Sequence, residues 1–231
     1  MRITTLNLQE FTNWDVRQSV ITDYIQSINP DIIVFQEVVF LPTISAFNQV
    51  QLLNQTLQYP QSHSAVTRLQ LSTKYDTYRE GLALLSKYPV TYTDTVILKQ
   101  AAGDEHNRIV QMIDLDVEGE DVKLANIHFS LTDTVDFATA HLKETLEILE
   151  ARGEERMIVG DFNLSHLEML GDIWKEKYYC STEFEYISFP KTNKRIDYFL
   201  IPKTYSFKNI FTSEGTVLSD HHAITADIEV A

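Results

Sequence analysis

Residues 156–163 read Arg156-Met157-Ile158-Val159-Gly160-Asp161-Phe162-Asn163, a short apolar strand that stops at a glycine and then presents an acid and an amide. An apolar run of this kind suits a strand covered on both faces. Polar groups placed just beyond such strands gather along one rim of a layered α/β protein, where sites are built. The same pattern recurs outward along the chain. Arg2 to Leu8 reads as a strand that closes at Asn7, and the β-branched run Asp31 to Phe35 is followed by Gln36-Glu37. The strand Val122 to Phe129 carries His128 at its end, and Asp197 stands in the strand Ile196 to Ile201. Ser219-Asp220-His221-His222 precedes the last strand, Ala223 to Val230. Three further runs, Gly81 to Ser86, Val90 to Leu98 and Ile109 to Val117, read as strands with no helix between them.

Helical periodicity is confined to three segments. Asp15 to Ile28 places Val16, Val20, Tyr24, Ile25 and Ile28 on one face and stops at Asn29-Pro30. A second helix is expected over Ile44 to Leu57. A third carries Val135, Ala138, Leu142, Leu146 and Leu149 and closes at Gly153. Helices and strand blocks mixed in this way predict α and β layers, and with no linker or composition break the expectation is a single domain over residues 1–231.

The 231 residues include 19 Lys and Arg against 33 Asp and Glu, a net charge of −14. Such a balance excludes nucleic-acid binding through a broad basic face, but not a nuclease whose positive charge is a bound divalent cation. One cysteine, Cys180, excludes a disulfide framework and a Cys-rich zinc site, and its surroundings predict an inert thiol. No apolar run approaches the ~20 residues of a membrane span, and the chain opens on a strand rather than a signal-peptide apolar segment. The expectation is a cytoplasmic protein with no stable membrane association; no protein partner can be inferred.

The rim residues restrict the chemistry. Asn7 and Glu37 offer hard oxygen ligands of the kind that suit Mg²⁺ or Mn²⁺. His128 and His221 are proton-transfer groups near neutral pH, and Glu80 and Asp197 are available to orient them. Arg108, at the head of a strand, offers a bidentate fork to a phosphate. Phosphoester hydrolysis would use all of these parts. Taken singly each has a plainer account: Asn7 can end a strand, Asp161 and Asn163 can cap a following helix, and His128 can be a hydrogen-bonded rim histidine. His63, His106, His141 and His166 read as surface histidines, and His222 as a packing residue.

The ordered set Thr5-Leu6-Asn7-Leu8, Phe35-Gln36-Glu37-Val38, Glu80-Gly81-Leu82-Ala83-Leu84-Leu85-Ser86, Asn126-Ile127-His128-Phe129, Gly160-Asp161-Phe162-Asn163, Arg195-Ile196-Asp197-Tyr198 and Ser219-Asp220-His221 resembles the endonuclease/exonuclease/phosphatase superfamily, in its deoxyribonuclease I-like form. The resemblance implies a four-layer α/β sandwich, two central mixed β-sheets flanked by helices, with a Mg²⁺ (or Mn²⁺) site on one rim. By motif, Asn7, Glu37 and Asp220 match metal-site positions, Asp161 and Asn163 the pair that orients water and phosphate, and Asp197 with His221 a carboxylate–imidazole dyad. His128 with Glu80 resembles a second such dyad, with Tyr78 at the Tyr-x-Glu spacing. The activity implied is metal-dependent attack of water on phosphorus, with Asp161 or His221 as base and His128 as acid. A phosphodiester, nucleic acid or a smaller molecule, is favoured over a phosphomonoester. The alternatives are a phosphatase, a sphingomyelinase-like lipid phosphodiesterase, and a non-catalytic module that binds a phosphorylated ligand. Val38-Val39-Phe40-Leu41-Pro42 lacks the Arg or Lys that DNA-cleaving relatives often carry after the glutamate, which argues against DNA.

Overall fold

The computed structural model of the protein describes residues 1–71, 77–131 and 136–231. Arg68, Lys74 and Arg79 make one locally basic stretch of sequence, of which Lys74 lies outside the described residues, as does Val135 of the expected third helix. The first half of the chain runs β1 (Arg2–Asn7), α1 (Trp14–Ile28), β2 (Ile32–Phe40), α2 (Gln49–Leu57), β3 (Gln61–Gln70), β4 (Tyr78–Ser86), β5 (Val90–Ile97) and β6 (Ile109–Val117). The second half runs β7 (Glu120–His128), α3 (Phe137–Arg152), β8 (Met157–Asp161), α4 (Gly171–Trp174), β9 (Tyr178–Cys180), β10 (Asp197–Pro202), β11 (Tyr205–Thr212) and β12 (Ile224–Val230).

The strands form two mixed six-stranded sheets, in the orders β11-β12-β1-β2-β4-β3 and β5-β6-β7-β8-β10-β9. Each has one parallel pair near its middle, β1 with β2 and β7 with β8. The sheets stack face to face because alternate residues of their strands are apolar on both sides. Ile3, Ile32, Val34, Leu84 and Ile224 of the first sheet meet Ile113, Leu124, Val159 and Phe199 of the second in one core. The opposite face of the first sheet (Leu6, Ile33, Phe35, Leu85) packs under Ile21 and Ile25 of α1 and Val50 and Leu53 of α2. Beyond the second sheet, Ala125, Ile127 and Ile158 pack under Leu142 and Leu149 of α3. Helix, sheet, sheet, helix is the expected four-layer sandwich.

Several elements depart from the sequence-based expectation. The second helix starts at Gln49 rather than Ile44, since Asn48 and Gln51 close a reciprocal capping box that sets its first turn. The second strand does not stop at Phe35: its pairing with β4 jumps from Phe35–Ala83 to Val38–Gly81, a bulge at Gln36-Glu37, and continues to Phe40. Strands β3, β9 and β11 carry no apolar alternation strong enough to announce them, and β3, β9 and β11 all lie on sheet edges. His141, expected at the surface, is buried on α3, its ring beside Phe129 and its Nδ1 facing the Ser130 N–H. Cys180 is buried, which pushes its thiol pKa up, in keeping with an inert role. Among the described residues, no helix is long and apolar enough to cross a membrane.

Candidate active site

The two parallel pairs point the same way, so their C-terminal ends share a rim. Asn7 and Gln36 are register partners at the ends of β1 and β2, and His128 and Asp161 at the ends of β7 and β8. The antiparallel β10 enters from the same rim and sets Asp197 opposite Asp161. β4, antiparallel to β2, sets Glu80 opposite Val39. Arg108 leads into β6, and Asp220 and His221 lead into β12. Topology alone therefore assembles the predicted residues.

Two backbone devices fix their aim. The bulge in β2 puts Glu37 at φ 52, a left-handed conformation that costs a non-glycine residue about 1 kcal/mol or more. It frees the Glu37 side chain from strand alternation and turns it into the cleft. At the end of β8, Gly160 has φ 140, and a Cβ there would lie 2.2 Å from the Ile127 carbonyl oxygen. Only glycine lets β8 approach β7 closely enough to leave Asp161 beside His128.

The resulting cleft, about 560 Å³, is lined by Glu37, Arg68, Arg108, His128, Asp161, Asn163, Lys194, Asp220 and His221 among others. Asn7 lies buried beneath it, and its Nδ2 donates to Glu37 Oε1 and Asp161 Oδ2, both at 3.0 Å. Asp161 Oδ1 accepts the Asn163 N–H at 2.9 Å, while the Asn163 amide donates to the Phe129 carbonyl. His221 Nδ1 lies 2.8 Å from Asp197 Oδ2, and its Nε2 lies 3.8 Å from Asp161 Oδ2. His128 Nε2 approaches the same Asp161 oxygen at 3.5 Å and Glu37 Oε1 at 3.9 Å. Ligand atoms of Asp161, Asp197 and His221 all fall within 4.8 Å of one another.

The expected pairing of Glu80 with His128 takes a different form. Glu80 Oε2 accepts two hydrogen bonds from Arg68, from Nη2 at 2.8 Å and Nε at 3.1 Å. Arg108 Nη1 donates to His128 Nδ1 at 3.0 Å and stands 3.9 Å from Glu80 Oε1. The order is thus His128, Arg108, Glu80, Arg68. A guanidinium cannot accept a proton, so Nδ1 is the acceptor and the imidazole proton sits on Nε2, facing the cleft. Tyr78, expected at the substrate, instead donates its hydroxyl to Glu10 Oε2 at 2.6 Å, and His222 turns to the Ile187 carbonyl.

Charge follows geometry. Burial and then the Glu80 charge push the Glu37 carboxyl up to about 8, and burial with the Asp197 charge pushes Asp161 up to about 6. Burial and the Arg108 charge hold His128 well below its ordinary value, so it is neutral. His221 is pulled down by burial, but Asp197, Asp161 and Asp220 outweigh it and raise the imidazole to about 10. The carboxylates Glu37, Asp161 and Asp220 of one cleft fit a hard divalent cation, which would relieve the repulsion that the raised Glu37 records, while Asn7 turns its Nδ2 rather than its oxygen toward Glu37 and Asp161.

Sequence reasoning missed the support beneath the site. Gln36 of the first sheet donates to Asn126 Oδ1 of the second at 2.8 Å. Asn126 Nδ2 in turn donates to the Phe35 and Ala83 carbonyls and to Gln111 Oε1. Both side chains are fully buried, and their signal was present: an amide in each of two otherwise apolar strand ends. Arg68 was noted only as part of a basic stretch.

Residues 4–221 match the Endonuclease/Exonuclease/phosphatase family. Among curated protein sequences none matches this chain. The fold resembles solved structures at low identity. An endonuclease/exonuclease/phosphatase family protein from Leptotrichia buccalis superposes with TM-score 0.81 at 20% identity over 99% of both chains. The human Nocturnin catalytic domain with bound sulfate anion gives 0.77 at 15%, over 100% of this chain and 94% of that one. The mannosyl-6-phosphatase of Bacteroides thetaiotaomicron gives 0.72 at 15%, over 99% of each. Sequence motif, topology and rim geometry coincide, and the chain belongs to the endonuclease/exonuclease/phosphatase family, whose members are phosphoester hydrolases.

Proposed function

We propose that this protein is a divalent-cation-dependent phosphodiesterase. The observation that carries the reading is that two imidazoles, His128 at the end of β7 and His221 in the loop before β12, both approach the same Asp161 oxygen in a carboxylate-lined cleft. A diester has an alkoxide to release as well as a water to activate, and two proton-handling groups suit that pair of tasks. A cation held by Glu37, with Asn7 and Asp220 beside it, would supply Lewis-acid polarisation of a phosphoryl oxygen.

The residues divide the remaining work. Asn163, tied to Asp161 and to the Phe129 carbonyl, fixes the carboxylate's direction. With His221 carrying its proton, Asp161 is the member of the pair left to take a proton from water. Asp197 holds the His221 ring through Nδ1, leaving the charged Nε2–H to give its proton to the departing ester oxygen. His128, expected from the sequence as the acid, acts instead as a neutral Nε2–H donor to a phosphoryl oxygen, because Arg108 occupies its Nδ1. Arg108 is placed to follow charge onto the phosphate. Inclusion of nucleic acid among the substrates rests on resemblance only.

The test compares bis-p-nitrophenyl phosphate with p-nitrophenyl phosphate, each with Mg²⁺, Mn²⁺ or EDTA, for wild type and Glu37→Gln. Metal-dependent cleavage that favours the diester and is lost in the variant is expected. Preference for the monoester would replace the phosphodiesterase reading with a phosphatase. Silence on both, with no cation bound in calorimetry, would leave a phospho-ligand-binding module.

A further inference from the structure

Resting on the reading of the cleft as a phosphoester site, we infer that Arg68 is a specificity-determining residue that receives a second phosphate group of the substrate, beside the one that reacts. The inference starts from how Arg68 reaches the cleft. It belongs to the edge strand β3, whose register against β4 jumps from Val66–Gly81 to Arg68–Glu80, leaving Thr67 as an extra residue. Directly opposed residues of antiparallel strands share a face, so the bulge turns Arg68 to the side that Glu80 occupies. The approach is close: a Cβ at Gly81 would lie 2.0 Å from the Ala65 carbonyl oxygen, so glycine is required where the bulge forms.

The charge count then decides what this flank can hold. Glu80 is a single carboxylate against two guanidinium groups, Arg68 and Arg108. Within this cluster the guanidinium groups outnumber the carboxylate, and Glu10, the next carboxylate, is held by Tyr78 and Gln70 and does not line the cleft. Arg68 spends Nε and Nη2 on Glu80, and its side chain is 11% exposed and lines the cleft. Arg108 is buried, and among the described residues its Nε has no hydrogen-bond partner. Against this stands the acidic flank of Glu37, Asp161 and Asp220, which suits the cation rather than an anion. A protein of net charge −14 repels anions in general, so a positive wall within its cleft selects for one that arrives with a matching group. With its Nε and Nη2 on Glu80, the Arg68 guanidinium turns its other edge, Nη1 with the second Nη2 proton, to fit a phosphate oxygen pair, and Arg68 stands across Arg108 and His128 from the reacting position. The substrate class is therefore a small phosphoester that carries a second phosphate, on a nucleoside or on a sugar.

Calorimetry on the full chain with Mg²⁺ tests this with two matched pairs: thymidine 5′-monophosphate against thymidine 3′,5′-bisphosphate, and glucose 6-phosphate against glucose 1,6-bisphosphate. Wild type is expected to bind the bisphosphate of at least one pair about tenfold more tightly or better, as for a hydrogen bond to a charged group. The pair with the larger preference identifies nucleoside or sugar as the carrier. Arg68→Gln should remove that preference and leave monophosphate affinity within about twofold. Should Arg68→Gln fail to fold, as judged by thermal melting, Arg68→Lys keeps the charge, loses the fork, and should retain only part of the preference. Equal binding within both pairs by wild type, or a preference untouched in the Arg68 variant, overturns the inference. Neither result bears on the phosphodiesterase reading, which stands or falls on cleavage of bis-p-nitrophenyl phosphate.

Discussion

At the scale of single residues, the site is organised around one oxygen. Asp161 Oδ2 meets Asn7, His128 and His221 at once, and among the described residues no other carboxylate oxygen of the rim meets three side chains. Asp161→Asn keeps the shape, loses the proton acceptor, and places an amide against the Asn7 amide. Its kcat on the diester should fall by about 10²–10⁴-fold, the usual range for removal of a general base, with the melting temperature little changed. Asp197→Asn should also cost activity, since His221 would lose the carboxylate that holds its ring. A wild-type pH–rate profile in either variant would remove them from the mechanism. Nearly all of these residues were legible in the sequence because each stands beside an apolar strand: singly each has a structural account, but together they collect on one rim. What was not legible was pairing. The resemblance paired Glu80 with His128, whereas Arg68, twelve residues away on another strand, takes Glu80, and Arg108 takes His128. Long-range competition between partners leaves no local pattern.

At the scale of elements, strands buried on both faces were readable and edge strands were not. β2 and β8 announce themselves by unbroken apolar runs. β3, with the sequence QSHSAVTRLQ, has one face to solvent along an edge and is specified by its pairing with β4 rather than by its own composition. Bulges are equally silent, yet those in β2 and β3 aim Glu37 and Arg68. Gly160 makes the dependence testable. Gly160→Ala forces a methyl group against the Ile127 carbonyl, so the β7–β8 pairing must open just where His128 and Asp161 are register partners. A loss of at least about 2 kcal/mol in urea unfolding is expected, within the range for a strained backbone site, together with loss of cleavage. Another element-level contact joins β1 to β12: Arg2 donates to Asp227 through Nε at 2.7 Å and Nη2 at 3.1 Å. The Arg2 hydrogen bond holds the Asp227 carboxyl below its ordinary value. A depressed carboxylate adds stability that is full above its unfolded pKa and is lost as pH falls through the folded one. With Arg2 37% exposed, the pair is worth no more than about 1 kcal/mol. Arg2→Met should therefore lower the melting temperature slightly at pH 7 and flatten its decline between about pH 4.5 and 3; an unchanged slope would assign the acid sensitivity elsewhere.

At the scale of the whole molecule, the two sheets bring their parallel pairs to one rim, and the rim collects carboxylates in a chain already at −14. The core is built for stability, with apolar contacts between the sheets and under the helices, and the buried amides Gln36 and Asn126 tie the sheets together just below the site. The rim runs the other way. Glu37 is raised to about 8, so in the cation-free protein it is held protonated or carries an unfavourable charge, and either state costs folding free energy at neutral pH. Here the sign is opposite to that of Asp227: a carboxyl raised in the folded state destabilises progressively as pH climbs above its unfolded value. A cation that binds only the folded protein should reverse the cost. At a Mg²⁺ or Mn²⁺ concentration one hundred times Kd, linkage gives about 2.7 kcal/mol, or roughly 5–10 °C in melting temperature for a chain of this size. Glu37→Gln removes both the strain and the ligand. Without metal it should melt at or above wild type, and with metal it should gain little, while NaCl at matched ionic strength should reproduce only the screening part in both proteins. A metal-induced rise of equal size in wild type and Glu37→Gln would place the cation away from Glu37, at Asp161, Asp197 and His221 or off the rim altogether, and a variant that melts well below wild type without metal would mean that Glu37 is held for packing rather than kept under strain for a cation.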